Sequence, residues 1–408
     1  MQTNLADWAK NSSYGEEVDA ILRKCVHCGF CSATCPSYQI LGDERDSPRG
    51  RIYLIKEIVE GAQPTSITQK HLDQCLTCHN CETTCPSGVQ YGHLVDIGRE
   101  LVADRVPRTP TDRLRRTLLA AGLNSSAFAP AVKLGRMLRS FMPATLAAKL
   151  PESRPAGSIP KTRHERRVLV PLGCVQPALM PSIDAATIRV LDAAGISSVD
   201  ISRQTCCGAV NFHLDKVQNS VAQMKSNIDA WVPLLESGEV EAIIMNASGC
   251  GAFVKEYPFY LRNEPEYAQK ARYLVQHVKD IAELIAPEAA RLKARFKKPL
   301  PQRVAFHPPC TLQHWQGLRP LTESMLAELG FGLKAFGEAN LCCGSAGTYS
   351  VLQPQIATGL RDRKLAAIDQ AQPEVIITSN MGCMSHLQTG TPTPVRHWVE
   401  VVDEALSA

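Results

Sequence analysis

Residues 25–36 read CVHCGFCSATCP and residues 75–86 read CLTCHNCETTCP. One cysteine pattern is written twice: Cys25, Cys28, Cys31 and Cys35 before Pro36, then Cys75, Cys78, Cys81 and Cys85 before Pro86. Two-residue gaps wrap a backbone tightly around one face of an iron-sulfur cube, so that three thiolates and several N–H groups converge on it. The fourth cysteine, three residues further on and turned away at proline, reaches the other cube. The spacing therefore predicts crossed ligation, with Cys25, Cys28, Cys31 and Cys85 on one [4Fe-4S] cluster and Cys35, Cys75, Cys78 and Cys81 on a second. An isolated Cys-x2-Cys pair would suit a structural zinc site. The longer pattern, repeated, points to electron transfer, and it names neither donor nor acceptor.

Working outward, His27 and His79 sit between the cysteines and read as surface loop residues, because the ligand count is complete without them. Ser47-Pro48-Arg49-Gly50-Arg51 before IYLIKEIVEG reads as a turn opening an amphipathic helix. Arg49 or Arg51 near a cluster would make its reduction easier, although a solvated or structural ion pair is the plainer role for either.

The chain has 408 residues, 44% apolar and 21% charged, enough for two or three domains with cores of their own. Its sixteen cysteines follow an N-terminus, MQTNLADWAKNSSYGEE, without the apolar stretch of a secretory signal, so they read as metal ligands in a reducing cytoplasm rather than as disulfides. No run approaches the roughly 18 apolar residues that span a bilayer, which leaves peripheral association as the expected form of membrane contact. The net charge is +4, yet residues 103–167 hold 14 Lys and Arg against 4 Asp and Glu, so the rest of the chain is net acidic. Within this segment AVKLGRMLRSFMPATLAAKL (131–150) alternates Lys133, Arg136 and Arg139 with Val132, Leu134, Met137, Leu138 and Phe141. The pattern predicts a basic amphipathic helix for an anionic membrane, an acidic partner, or the protein's own surface. The modest charge and 6% aromatic content argue against nucleic acid.

From Val168 onward the sequence repeats itself at an offset of 136 residues. RRVLVPLGC ending at Cys174 answers QRVAFHPPC ending at Cys310, VLDAAGI (190–196) answers MLAELGF (325–331), and Cys206-Cys207-Gly208 answers Cys342-Cys343-Gly344. EAIIMNASGC closing on Cys250 answers EVIITSNMGC closing on Cys383. Short apolar runs (168–172, 242–245, 304–306, 375–378) alternate with amphipathic stretches ending at Gly195 and Gly330, which predicts parallel strands with helices between them. The expected fold class is α/β overall: a mainly helical, two-cluster ferredoxin-like domain over 1–102, a basic connector over 103–167, and a duplicated α/β pair over 168–295 and 296–408.

Adjacent cysteines bridge each other only with strain, whereas a metal can take both thiolates where a glycine lets the backbone turn. Cys174, Cys206, Cys207 and Cys250, and Cys310, Cys342, Cys343 and Cys383, are therefore candidate third and fourth metal sites, for a cluster or a zinc ion. A substrate-facing thiol site and plain buried cysteines are the other readings. His307 and His314 flank Cys310 without counterparts in the first copy and read as core or loop histidines. No G-x-G-x-x-G follows a strand, and neither a P-loop nor a nucleophile elbow is present. A flavin or nicotinamide is expected on another chain.

Taken together, CVHCGFCSATCPSY, CLTCHNCETTCPSG, DSPRGRIYLIK, LCCGSAGTY and PVRHW (394–398) resemble the iron-sulfur subunits of bacterial glycolate oxidase (glycolate dehydrogenase) along the whole chain. The resemblance implies FAD-binding partner subunits that oxidise glycolate to glyoxylate. It also implies that this chain passes the electrons toward a quinone at the inner face of the cell membrane. The eight cysteines of the twin motifs match the ligands of that family position by position. The CCG units resemble those of the CCG-bearing heterodisulfide reductases, where a Cys-x2-Cys closes each motif and five cysteines hold a noncubane cluster. Here Ala247-Ser-Gly-Cys250 and Asn380-Met-Gly-Cys383 each lack the first of that closing pair, so the resemblance carries the fold and not that cofactor. Rival functions are an iron-sulfur subunit for lactate or glycerol 3-phosphate oxidation, a thiol or disulfide reductase centred on the CCG units, and a zinc-stabilised docking platform.

Overall fold

The computed structural model describes residues 1–141, 154–199 and 206–407. The chain divides into two units, Met1–Arg116 with Asn340–Lys364, and Thr117–Ala339 with Leu365–Ala408. Cys342 and Cys343 thus belong to the unit that carries the twin motifs.

The first unit is helical. Helices Gly15–Lys24 and Ser66–Asp73 each run up to a ligand loop, and five-residue helices Phe30–Thr34 and Asn80–Thr84 leave it. Helix Pro48–Val59 starts where its sequence directs: Ser47 caps it by accepting from the Gly50 N–H at 2.9 Å, and Pro48 fills the first turn. Its Ile52, Ile55 and Ile58 and the Leu94 and Val95 of helix Tyr91–Arg105 are at most 2% exposed. They supply the core on which both ligand loops rest.

The second unit holds two parallel sheets. In the first copy β1 (Arg166–Leu169), β2 (Ile196–Val199), β3 (Ala242–Met245) and β4 (Val278–Asp280) lie in the order β2-β1-β3-β4. In the second copy β5 (Val304–Phe306), β6 (Val375–Thr378) and β7 (Val395–His397) lie in the order β5-β6-β7, and a single parallel bridge between Val304 and Leu333 stands where β2 would pair. β3 and β6 are buried at every residue, as befits central parallel strands covered on both faces. Helices Pro181–Ala193 and Arg319–Leu329 follow the first strand of each copy. The duplication extends further than the sequence comparison reached: β4 and β7 each lead into a helix through a reciprocal capping box, Asp280 with Glu283 and His397 with Glu400.

In the connector, helices Pro110–Leu123 and Phe128–Met137 form, and Arg139–Phe141 makes a 3-10 turn. The expected helix over 131–150 therefore starts earlier and stops at Met137; positions 142–150 of that expectation lie outside the described residues. Its Val132 is buried and Arg136 donates to the Ala178 and Leu179 carbonyls, while Leu134, Met137, Leu138 and Phe141 are exposed.

Candidate functional site

Each ligand loop needs two left-handed residues to bend its backbone between cysteines. In the first these are His27 (φ 56°) and Gly29 (φ 84°); in the second, at the same two positions, Thr77 (φ 51°) and His79 (φ 58°). A non-glycine residue pays to adopt this region. The bend brings the Thr77 N–H to 3.3 Å from Cys75 Sγ and lets the His27 N–H donate to Cys25 Sγ in the same way.

The cysteines surround two hollows. Cys25, Cys28, Cys31 and Cys85 line the first, of about 440 Å³. Cys35, Cys75 and Cys78 line the second, of about 280 Å³. Cys81, Pro48 and Tyr91 line both and form the wall between them. Each fourth cysteine, Cys85 or Cys35, thus stands at the hollow of the opposite motif. A donor set of four sulfurs around each hollow suits iron and sulfide, and all sixteen cysteines are thiols rather than disulfides. Burial pushes the thiols of Cys25 and Cys81 up, and that of Cys31 to about 11. Bare thiols in these places hold their protons, and metal must displace them.

The second hollow is the more elaborately supported. The Arg51 side chain is fully buried on its wall, donating to Ser37 Oγ at 3.0 Å and to the His71 carbonyl at 2.7 Å and pairing with Asp46 at 3.3 Å. Ser37 Oγ lies 3.3 Å from Cys35 Sγ, and the Tyr91 hydroxyl donates to Cys75 Sγ at 3.5 Å. Arg99 clamps the ligand loop, donating to Thr77 Oγ1 at 2.7 Å and to the Cys75 carbonyl at 2.6 Å. Residues 340–364 of the same unit tie down the second loop from outside: Asn80 donates to the Asn340 carbonyl at 3.1 Å and Tyr349 to the Gln74 carbonyl at 2.9 Å. Arg51 thus combines the two readings open to it, an ion pair and a charge beside a cluster site. Arg49 lines the first hollow and pairs with Glu44 at 2.7 Å nearer the surface.

One expectation is corrected here. His79 is 8% exposed, lines the second hollow and faces Glu82 at 3.4 Å. It is no surface loop residue, because its ring fills the space left by Gly92, where a Cβ would come within 2.3 Å of it. His27 is half-buried. His307 is fully buried at the end of β5, as a core histidine would be, and His314 is half-buried.

In the first CCG copy the four thiols meet. Cys174 bonds Cys206, Cys206 bonds Cys207, and Cys207 bonds Cys250, all packed against a core that includes Met224, Phe253 and Tyr257. Hydrogen bonds from the thiols of Cys174 and Cys207, joined by the Gly208 and Val210 N–H groups, pull the Cys206 thiol below its usual value. The turn is held by Tyr257 donating to the Cys207 carbonyl at 2.7 Å and Asn227 to the Cys206 carbonyl at 3.1 Å. Of the second set, Cys342 and Cys343 lie buried in the first unit, and the Gly344 N–H donates to Cys342 Sγ at 3.4 Å. Cys310 and Cys383 lie in the second unit, where Asn380 donates to Cys383 Sγ at 3.4 Å. The sequence did not single out Tyr91 or Arg99, which stand in no recognisable motif, nor Ser37 and Tyr349, which lie inside quoted motifs without carrying a chemical signal of their own.

Residues 21–89 match the family model described as a 4Fe-4S dicluster domain, and residues 168–255 and 304–388 each match the cysteine-rich domain. Lactate utilization protein A from Exiguobacterium sp. is 23% identical over 241 residues, which are 57% of this chain and 95% of that protein. The probable glycolate oxidase iron-sulfur subunit of Bacillus subtilis is 30% identical over 406 residues, 90% of this chain and 89% of the relative. The glycolate oxidase iron-sulfur subunit of Escherichia coli is 49% identical over 409 residues, 100% of this chain and 99% of the relative. With both cluster motifs and both CCG copies inside that end-to-end match, the chain belongs to the family of glycolate oxidase iron-sulfur subunits.

Proposed function

We propose that this chain is the electron-transfer subunit of a glycolate dehydrogenase complex. Glycolate gives up two electrons and two protons to become glyoxylate on an FAD-binding partner, and this chain carries the electrons onward, one at a time, toward a membrane quinone. The observation that carries the reading is the pair of adjoining hollows, each lined by three cysteines of one motif and the fourth of the other. Cys25, Cys28, Cys31 and Cys85 would hold one [4Fe-4S] cluster, and Cys35, Cys75, Cys78 and Cys81 the second. When bound, the clusters accept and release single electrons. The residues around them bury the site, donate hydrogen bonds to the thiolates and set the local charge. The four touching thiols Cys174, Cys206, Cys207 and Cys250 would hold a further metal centre.

Attachment to the inner face of the cell membrane would run through the connector, where Leu134, Met137, Leu138 and Phe141 are exposed among Lys133 and Arg139. No described helix is long and apolar enough to cross a membrane. The test is anaerobic copurification with the flavoprotein subunits. Glycolate should bleach the cluster absorbance of the complex and leave that of the isolated chain untouched. Reduction of the isolated chain by glycolate would overturn the proposal, and lactate or glycerol 3-phosphate acting in its place would redirect it to another substrate.

A further inference from the structure

The two ligand loops are copies in backbone and opposites in burial. In the second, Leu76, Cys78 and Asn80 are 6%, 8% and 2% exposed. The matching positions of the first are Val26, 68% exposed, Cys28, exposed, and Phe30, 60% exposed. Residues 340–364 cover the second loop through the Asn80 and Tyr349 hydrogen bonds. Among the described residues Cys28 alone of the cysteines falls in the exposed class. Tyr53, 50% exposed, stands edge-on to His27 with ring centroids 6.4 Å apart and widens the apolar ground beside the loop. Arg23 and Lys24, both exposed, lie just before the loop in the chain.

Large apolar side chains grouped around one point, with charges at the margin, have the make-up of a protein interface. A quinone requires a cleft that buries most of its surface, which side chains standing more than half in solvent do not supply. Electron tunnelling falls off steeply with distance, so the partner must come close to an outward-facing ligand, and Cys28 is that ligand. We propose that Val26, Cys28, Phe30 and Tyr53 form the docking surface for the flavoprotein subunit that donates electrons, making the first cluster site the port and the second an interior station. The inference rests on the functional reading above. In the step itself one electron leaves the partner's reduced flavin and enters the centre held by Cys28, and no bond in this chain is made or broken.

The test uses the full chain coexpressed with its flavoprotein subunits, comparing Val26→Glu, Phe30→Glu and Tyr53→Glu with Ile67→Glu, an apolar side chain of similar exposure, 57%, on helix Ser66–Asp73. The three port variants should associate at least tenfold more weakly and be reduced by glycolate at least tenfold more slowly. Their iron content, EPR spectra and reduction by dithionite should match the wild type, and Ile67→Glu should change neither association nor reduction rate. Tyr53 lies outside the ligand loop and preserves the comparison if the loop variants lose iron. Association and reduction unchanged in the port variants, with a wild type that does associate, would overturn the docking surface alone. A wild-type chain that never associates would overturn the functional reading and the port with it. Variants that bind the flavoprotein normally but no longer bind phosphatidylglycerol vesicles would assign the surface to the membrane and overturn the proposal.

Discussion

Arg51 and His79 show how a single side chain sets the character of the second cluster site. A guanidinium with no solvent exposure acts on its surroundings with little screening, whereas Arg49, paired with Glu44 near the surface, is diluted by water. An added electron beside Arg51 is therefore stabilised, and Arg51→Met should lower the potential of the second cluster by roughly 50–100 mV, taking a buried charge at an effective dielectric near 20 and about 59 mV per tenfold. Removing one partner of a buried pair also costs about 3–5 kcal/mol of stability. Arg51→Lys, which keeps the charge, separates the two effects: it should restore most of the potential in an EPR-monitored redox titration. Equal potentials in wild type and Arg51→Met would remove Arg51 from any tuning role. The cysteines that line the two hollows were legible in the sequence because their spacing is itself the geometry. His79 was not legible, since what buries it is a glycine thirteen positions later whose missing side chain makes room for the ring.

At the scale of elements, the glycine of each CCG unit marks a place where no side chain fits. Gly208 has φ 101° and a Cβ there would meet Ser220 Oγ at 2.8 Å; Gly344 has φ 87° and a Cβ would meet the Ala357 carbonyl oxygen at 2.4 Å. Left-handed strain alone costs about 1–3 kcal/mol. A serine hydroxyl can rotate away and a helix carbonyl cannot, so Gly344→Ala should lower the thermal midpoint more than Gly208→Ala. The reverse order would show that the backbone near Ala357 yields. Strands β3, β5 and β6 were readable to the residue because unbroken apolar runs are what buried parallel strands require. β2, β4 and β7 escaped notice, being three or four residues long with polar members such as Ser197, Lys279 and Arg396, ordered by their neighbours rather than by their own composition.

The paired helix caps carry a pH signature. Burial raises Asp280 to about 7 and lowers His397 to about 4. His397 accepts from the Val399 N–H through Nδ1, and its Nε2 lies 3.0 Å from the Asn246 carbonyl, so the neutral ring with a proton on Nε2 fits both. Its contribution is complete above the unfolded value near 6.5 and is lost as pH falls toward 4, about 3 kcal/mol in all. Asp280 has the opposite sign: its contribution is complete below the unfolded value near 3.8 and is lost as pH rises through 7. The slopes oppose each other over the shared window, so the wild-type midpoint should change little from these two groups between about pH 4 and 6.5. Asparagine can still cap a helix. His397→Asn should gain stability as pH falls across that window and Asp280→Asn should lose it; parallel profiles for all three proteins would refute the opposition.

For the molecule as a whole, the amount of metal decides whether the CCG pair joins the relay or only supports it. Two [4Fe-4S] clusters in the first unit, as proposed, would account for about eight irons per chain. A bare set of four contacting thiols is chemically unsettled in a way that eight cysteines around two hollows are not. Oxidation would link neighbours, and the strain of bridging Cys206 to Cys207 opposes the shortest link. A metal settles all four sulfurs at once, so the anaerobically purified chain should carry metal beyond eight irons, as further iron or as zinc. Cys207→Ser should lose that excess and keep the EPR signals of the N-terminal clusters. If the wild type holds eight irons and nothing more while Cys207→Ser abolishes turnover, the CCG thiols act directly in thiol or disulfide chemistry. If the variant changes neither metal nor turnover, the first CCG copy is a scaffold, and the path of the electrons ends within the first unit or its partner.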